Sequence, residues 1–106
     1  MKTLGVSMIV RNESANIRDC LESVKDADEI VIVDTGSEDD TVEICKQYTD
    51  KVYHDPWRDD FSYSRNISLD YCTADYVLII DADERLVTPI KKLKQTINEF
   101  WIRKYF

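Results

Sequence analysis

Tyr76-Val77-Leu78-Ile79-Ile80 is an unbroken apolar run that stops at Asp81-Ala82-Asp83-Glu84. A run of this length, rich in branched residues, suits a strand covered on both faces; a strand with one wet face would alternate apolar with polar residues. Glu29-Ile30-Val31-Ile32-Val33-Asp34 follows the same rule. Two such strands need helices above and below a shared sheet, which confines the chain to the α/β class. Each delivers acid to the edge where ligands of such sheets bind.

Between these runs the apolar period changes. Leu4 to Val10 reads as a first strand, and Asn12-Glu13-Ser14 brings helix-start chemistry, so a helix is expected from near Ser14. Ile17, Cys20, Leu21 and Val24 fall at i, i+3, i+4 and i+7 as its inner stripe, with Arg18, Asp19, Glu22 and Lys25 off it. Thr35-Gly36-Ser37 turns the second strand into a helix through about Tyr48, where Ser37 and Asp40 make a loose capping box. Lys51 to His54 is a short third strand ended by Asp55-Pro56. A helix from Asp59 to about Cys72 is expected to turn Phe61, Ile67 and Tyr71 inward. Ala74 to Ile80 is the fourth strand, and Pro89 opens a last helix striped by Ile90, Leu93, Ile97 and Trp101. The order β-α-β-α-β-α-β-α predicts a Rossmann-like open, mainly parallel sheet with helices on both faces, as one domain over residues 1–106.

Charge and cysteine usage remove several function classes. A formal net charge of -7 argues against nucleic-acid or anionic-membrane partners. Cys20, Cys45 and Cys72 are widely spaced, with no Cys/His cluster for zinc, and read as reduced, buried small residues. The first apolar stretch meets Arg11 too soon for a signal or a membrane helix, so the expected compartment is the cytoplasm, with no transmembrane segment. With glycine only at positions 5 and 36, neither a dinucleotide turn nor a P-loop can be built, so bound phosphates would need a metal and basic side chains.

The candidate site residues lie at the strand ends. Asp34 alone fits a turn or cap as well as a ligand contact. Asp81 and Asp83 differ, because two carboxylates at i and i+2 repel unless a cation or buried donors hold them. As hard oxygen donors they suit Mg²⁺ or Mn²⁺. Arg65 is the basic residue expected at a diphosphate or base, against the alternative of a surface ion pair. His54 is the sole histidine and no nucleophile elbow exists, which argues against a hydrolase triad. Trp57 reads as loop packing.

Taken in order, Ser7-Met8-Ile9-Val10-Arg11-Asn12-Glu13, Val33-Asp34-Thr35-Gly36-Ser37-Glu38-Asp39, Trp57 to Asn66 and Ile80-Asp81-Ala82-Asp83-Glu84 resemble the nucleotide-sugar half of the inverting family 2 glycosyltransferases, which have the GT-A fold. The resemblance spans Leu4 to about Leu93. It implies a glycosyltransferase donor half that binds a nucleotide-sugar, a UDP-sugar first, with Asp34 on the base and Arg65 near the base or phosphates. Val10, Arg11, Asn12 and Glu13 would line the pocket beside Ala82. The family's DXD motif falls on Asp81-Ala82-Asp83, so that Asp81 reaches the ribose or metal-bound water and Asp83 ligates Mg²⁺ or Mn²⁺. The catalytic base and the acceptor-binding half are expected beyond the C-terminus, so the chain alone is expected to bind donor without turnover. Arg11-Asn12-Glu13 replaces the proline-containing turn common after the first strand, a variant associated with a bacterial branch.

Two other readings have sequence support. An apolar strand ending in Asp-x-Asp also resembles the haloacid-dehalogenase-like phosphatases, although their motif usually sits on the first strand and continues Gly-Thr. Phe100, Trp101, Ile102, Tyr105 and Phe106 would suit a non-catalytic module that forms a homodimer through its C-terminal aromatic segment.

Overall fold

The branched runs form four strands, β1 (Leu4–Val10), β2 (Glu29–Asp34), β3 (Val52–His54) and β4 (Tyr76–Ile79), in a computed structural model that describes residues 2–99, the side chains of 97–99 aside. Helices α1 (Ile17–Val24), α2 (Thr41–Cys45), α3 (Phe61–Tyr71) and α4 (Ile90–Glu99) alternate with them. The sheet is parallel, in the order β3-β2-β1-β4. The expected open parallel sheet with helices on both faces is the fold observed.

Pleating sorts the side chains onto two faces. Leu4, Val6, Met8 and Val10 of β1 join Ile30 and Ile32 of β2 on one face. There they meet Ile17, Cys20, Leu21 and Val24 of α1, Cys45 of α2 and Ile90 of α4. The α1 stripe is the one expected, each of its four side chains at 0% exposure, worth roughly 1.5–3 kcal/mol apiece for the larger ones. The opposite face is thinner, with Val31, Val77 and Cys72 packed by Tyr53 and Leu69 under α3. α3 lies there because the chain reverses direction across the sheet between β3 and β4, and crossovers of one hand must then change face.

Several local expectations are corrected. α1 runs from Ile17, and Ser14 to Asn16 form the turn that leads into it, closed by the N–H groups of Asn16 and Ile17 on the Glu13 carbonyl. α2 ends at Cys45, and the chain continues to Tyr48 in tighter turns. The capping box of Ser37 and Asp40 does not form: Asp40 makes no side-chain cap bond, and Ser37 is engaged elsewhere. β4 is shorter than Ala74 to Ile80. α3 starts at Phe61, where the Asp60 carboxylate accepts the Tyr63 N–H, after Asp59 at φ 56°.

α3 is also rotated from expectation. Ser64 and Ser68 are its inward residues at 0% exposure, whereas Phe61 and Tyr71 are 45% and 42% exposed. Beneath Ser68 the sheet offers Ser7, whose short side chain lets the helix approach closely. The Ser7 and Ser68 hydroxyls are 2.5 Å apart. Tyr71 instead stacks on Tyr53, and Phe61 carries the Arg65 guanidinium over its ring.

Ile90 of the last stripe is buried and Leu93 packs on the core. The Ile97 side chain, Trp101 and the aromatic segment Phe100 to Phe106 lie outside the described residues. All three cysteines are buried. Burial first, and neighbouring acids second, push the Cys20 and Cys45 thiols up to about 11 and 12, so both act as packing groups.

Candidate functional site

Strand order fixes where a ligand can lie. β1, β2 and β3 succeed one another in one direction while β4 pairs with the other side of β1, so the switch point falls between β1 and β4. Arg11, Asn12 and Glu13 leave β1 on one side of it, and Asp81, Ala82 and Asp83 leave β4 on the other. Asp34 stands one strand away and His54 two, as Val10, Asp34 and His54 are register partners across the carboxyl edge.

At the switch point, Asp81 and Asp83 are exposed on either side of Ala82, which is 2% exposed and packed in the core. Neither carboxylate has a hydrogen-bond or ion-pair partner among the described residues. The turn that presents them is held from behind: Glu84 accepts the Asp81 N–H at 2.8 Å while its own N–H donates to the Asp81 carbonyl at 2.9 Å. The Cys20 thiol lies 3.5 Å from that carbonyl. The buried Ala82 thus anchors a turn whose two acids point away from the core.

Asp34 is otherwise occupied. It is 3% exposed, and its carboxylate accepts the Gly36 N–H, the Ser37 N–H and the Ser37 hydroxyl, the last at 2.5 Å. The turn reading of Asp34 is therefore realised in its geometry. His54 Nδ1 approaches Oδ2 at 3.4 Å.

The loop after β1 is stitched to the loop after β2. Three successive N–H groups, of Asn12, Glu13 and Ser14, donate to Ser37 Oγ, Thr41 Oγ1 and Asp39 Oδ2 at 2.9, 2.8 and 3.2 Å. In return Asn12 Oδ1 accepts the Glu38 N–H at 2.7 Å. Asn12 adopts φ 53°, which asparagine tolerates better than most residues. Asp39 also accepts the Thr41 hydroxyl, first among the bonds that hold its carboxyl down to about 2. Among the expected pocket residues, then, Asn12 and Glu13 spend backbone donors on the neighbouring loop, while Val10 is buried at 2%. Ser37, Asp39 and Thr41 shape the mouth without having been singled out for that role. Their pattern of short oxygen-bearing side chains after a strand was the available signal.

Arg65 stands on α3 with its guanidinium 4.7 Å from the Phe61 ring centroid. Its Nε is buried without a partner, as are Ser64 Oγ and Asp55 Oδ2. The loop after β3 is pinned to β2 by the Asp55 N–H on the Asp34 carbonyl and the Trp57 N–H on that of Thr35. Trp57 is 38% exposed, so it packs its loop only in part.

A cleft of about 510 Å³ opens at the other end of the sheet, lined by Thr3, Asp28, Glu29, Lys51 and Thr73 among others. It lies at the amino ends of the strands. Its buried acid, Glu29, is paired internally with Lys51, Thr73 and Ala74, so the strand-end mouth is the better functional candidate.

The sequence matches the family described as glycosyl transferase family 2 over residues 6–100. It is 44% identical over 84 residues to the glycosyltransferase SunS of Bacillus subtilis, covering 76% of this chain and 20% of that protein. S. aureus TarS, residues 1–349, superposes with a TM-score of 0.72 at 25% identity over 92% of this chain and 32% of its own. Glucosyl-3-phosphoglycerate synthase from Mycobacterium tuberculosis, solved in complex with Mn²⁺ and UDP-glucose, does so with a TM-score of 0.67 at 26% identity over 77% of this chain and 33% of its own. The chain thus spans between a fifth and a third of the length of these proteins.

Proposed function

Because this chain belongs to glycosyl transferase family 2, we propose that its strand-end mouth binds a nucleotide-sugar, a UDP-sugar first, for transfer of the sugar to an acceptor. The observation that carries the reading is the pair Asp81 and Asp83, exposed, unpaired and set at the switch point. The solved relative that holds UDP-glucose supports the choice of donor.

The pair fits a divalent cation by its chemistry. Two hard carboxylates without partners suit Mg²⁺ or Mn²⁺, and no group of three His, Cys, Asp or Glu gathers among the described residues. Mg²⁺ at phosphate sites takes one or two protein carboxylates and completes its shell with phosphate and water. When bound, the cation would neutralise charge on the departing diphosphate. Asp83 would ligate it, with Asp81 on the ribose or on a metal-bound water. Arg65 would face the phosphates or base, and Val10 to Glu13, Asp34 and Ala82 would line the pocket. The described acids at this edge are ligands or turn residues, so we assign no general base and expect the chain by itself to bind donor without turnover.

Among the described residues no helix is long and apolar enough to cross a membrane. Free, buried Cys20 and Cys45 favour a reducing compartment such as the cytoplasm.

Calorimetric titration of the chain with UDP, with and without Mn²⁺, tests the reading. Binding is expected to require the metal and to be lost in Asp83→Ala. Binding that ignores the metal, or survives the substitution unchanged, would sink it.

A further inference from the structure

Asp81, Asp83 and Glu84 are close neighbours in the chain, yet among the described residues they do not gather into a group of three that could share one ion. Glu84 is used differently from the other two. Its Oε1 accepts the Asp81 N–H at 2.8 Å and its own N–H donates to the Asp81 carbonyl at 2.9 Å, so one residue engages both main-chain groups of Asp81. Further on, the Ser23 hydroxyl accepts the Leu86 N–H at 3.0 Å and fixes the far end of the loop to α1.

Asp34 shows the alternative open to an aspartate at a strand end: its carboxylate accepts the Gly36 and Ser37 N–H groups, two and three residues on. After β4 the donors at those offsets belong to Asp83 and Glu84. The second is already held by the Asp81 carbonyl, while the Glu84 carboxylate anchors the backbone from which the Asp81 side chain departs. The Asp81 carboxylate is thereby left open instead of being spent on its own turn. We propose that Glu84 is a positioning residue for the cation, acting through the Asp81 main chain to hold Asp81 and Asp83 ready for Mg²⁺ or Mn²⁺ without being a ligand itself. The inference rests on the metal-dependent nucleotide-sugar reading and adds to it a residue on which the ligand pair depends.

The test is the Mn²⁺ concentration that half-saturates UDP binding, measured by calorimetry for the chain and two variants whose fold is checked by urea denaturation. Glutamine separates the two ways in which Glu84 could matter, because its amide oxygen accepts the same N–H but carries no charge. In Glu84→Ala the Mn²⁺ requirement should rise about fivefold, the worth of one net hydrogen bond, and in Glu84→Gln it should stay within about twofold of the unaltered chain. An unchanged requirement in Glu84→Ala, or a Glu84→Gln chain as impaired as Glu84→Ala, would overturn the positioning role and leave the reading of the aspartate pair standing. An unaltered chain that binds UDP without regard to Mn²⁺, or not at all, would remove both.

Discussion

Gly5 and Glu29 are register partners across β1 and β2, and the missing side chain of Gly5 is what lets the Glu29 carboxylate pass over β1 to the residues that lead into β4. There Glu29 accepts the Thr73 N–H at 2.8 Å, the Thr73 hydroxyl at 2.7 Å and the Ala74 N–H at 3.1 Å, while the Lys51 ammonium closes on it from the β3 side. One buried acid thus ties together the amino ends of strands that are distant in sequence.

A Cβ at position 5 would stand 3.0 Å from Ala74 Cβ and 3.2 Å from Glu29 Oε1. The first contact involves an atom fixed to backbone and cannot relax by a rotamer change. Gly5→Ala should therefore destabilise the fold by about 1–3 kcal/mol, the usual cost of overpacking. Urea denaturation checks this, and a midpoint equal to that of the parent chain would contradict it.

The same carboxylate sets an acid dependence. Burial taken alone would raise the Glu29 carboxyl, but Lys51, the Thr73 hydroxyl and the two N–H groups outweigh it and bring the carboxyl from 4.5 down to about 2. The folded value lies below the unfolded one, so the stabilisation is fully present above about 4.5 and is lost as pH falls from there toward 2. Its size is on the order of 2–3 kcal/mol. Asp28 and Asp75 are also held low, so Glu29→Gln should flatten the fall in stability over that window without abolishing it. Stability curves at pH 7 and pH 3 measure the difference; an unchanged fall in the Glu29→Gln chain would count against the linkage.

The sequence exposed the architecture wherever burial demanded a long apolar signal. β2 and β4 are covered on both faces and show it as continuous runs, and α1 shows it as a stripe because one face meets the core. α3 escaped because its fully buried residues are Ser64 and Ser68, the second bonded to Ser7 of β1. No apolar period can mark such a helix, and its aromatic residues are driven outward. At the mouth, Asp81 and Asp83 stand out in the sequence because two carboxylates at i and i+2 repel unless a cation or buried donors hold them. The Asn12, Ser37, Asp39 and Thr41 stitch was hidden because its bonds join loops 25 to 28 residues apart, through side chains that look individually like turn formers. His54 carried no sign of its partner, since pairing with Asp34 depends on the register of β2 and β3.

The stitch has a single most exposed point of failure. Ser37 donates to Asp34 and accepts from Asn12, so Ser37→Ala removes a partner from both loops at once. A loss of about 1–2 kcal/mol is expected from the stranded N–H and the weakened turn. Because both loops border the mouth, the affinity for UDP should fall with it by several-fold, an amount that calorimetry resolves. Full stability in the Ser37→Ala chain would show that water replaces the hydroxyl at no cost.

The close seat of α3 on the sheet can be tested by a double-mutant cycle at Ser7 and Ser68. Their hydroxyls are buried together, at 2% and 0% residue exposure, and each is the other's hydrogen-bond partner. Removing one strands the other in a buried site, which costs about 1–3 kcal/mol, whereas removing both leaves two methyl groups that need no partner. Ser7→Ala and Ser68→Ala should each destabilise, and the double variant should lose less than the two single losses added together, with an interaction of at least about 0.5 kcal/mol. Strict additivity in urea denaturation would mean that the hydroxyls do not bond across the interface, and that α3 sits close for reasons of size alone.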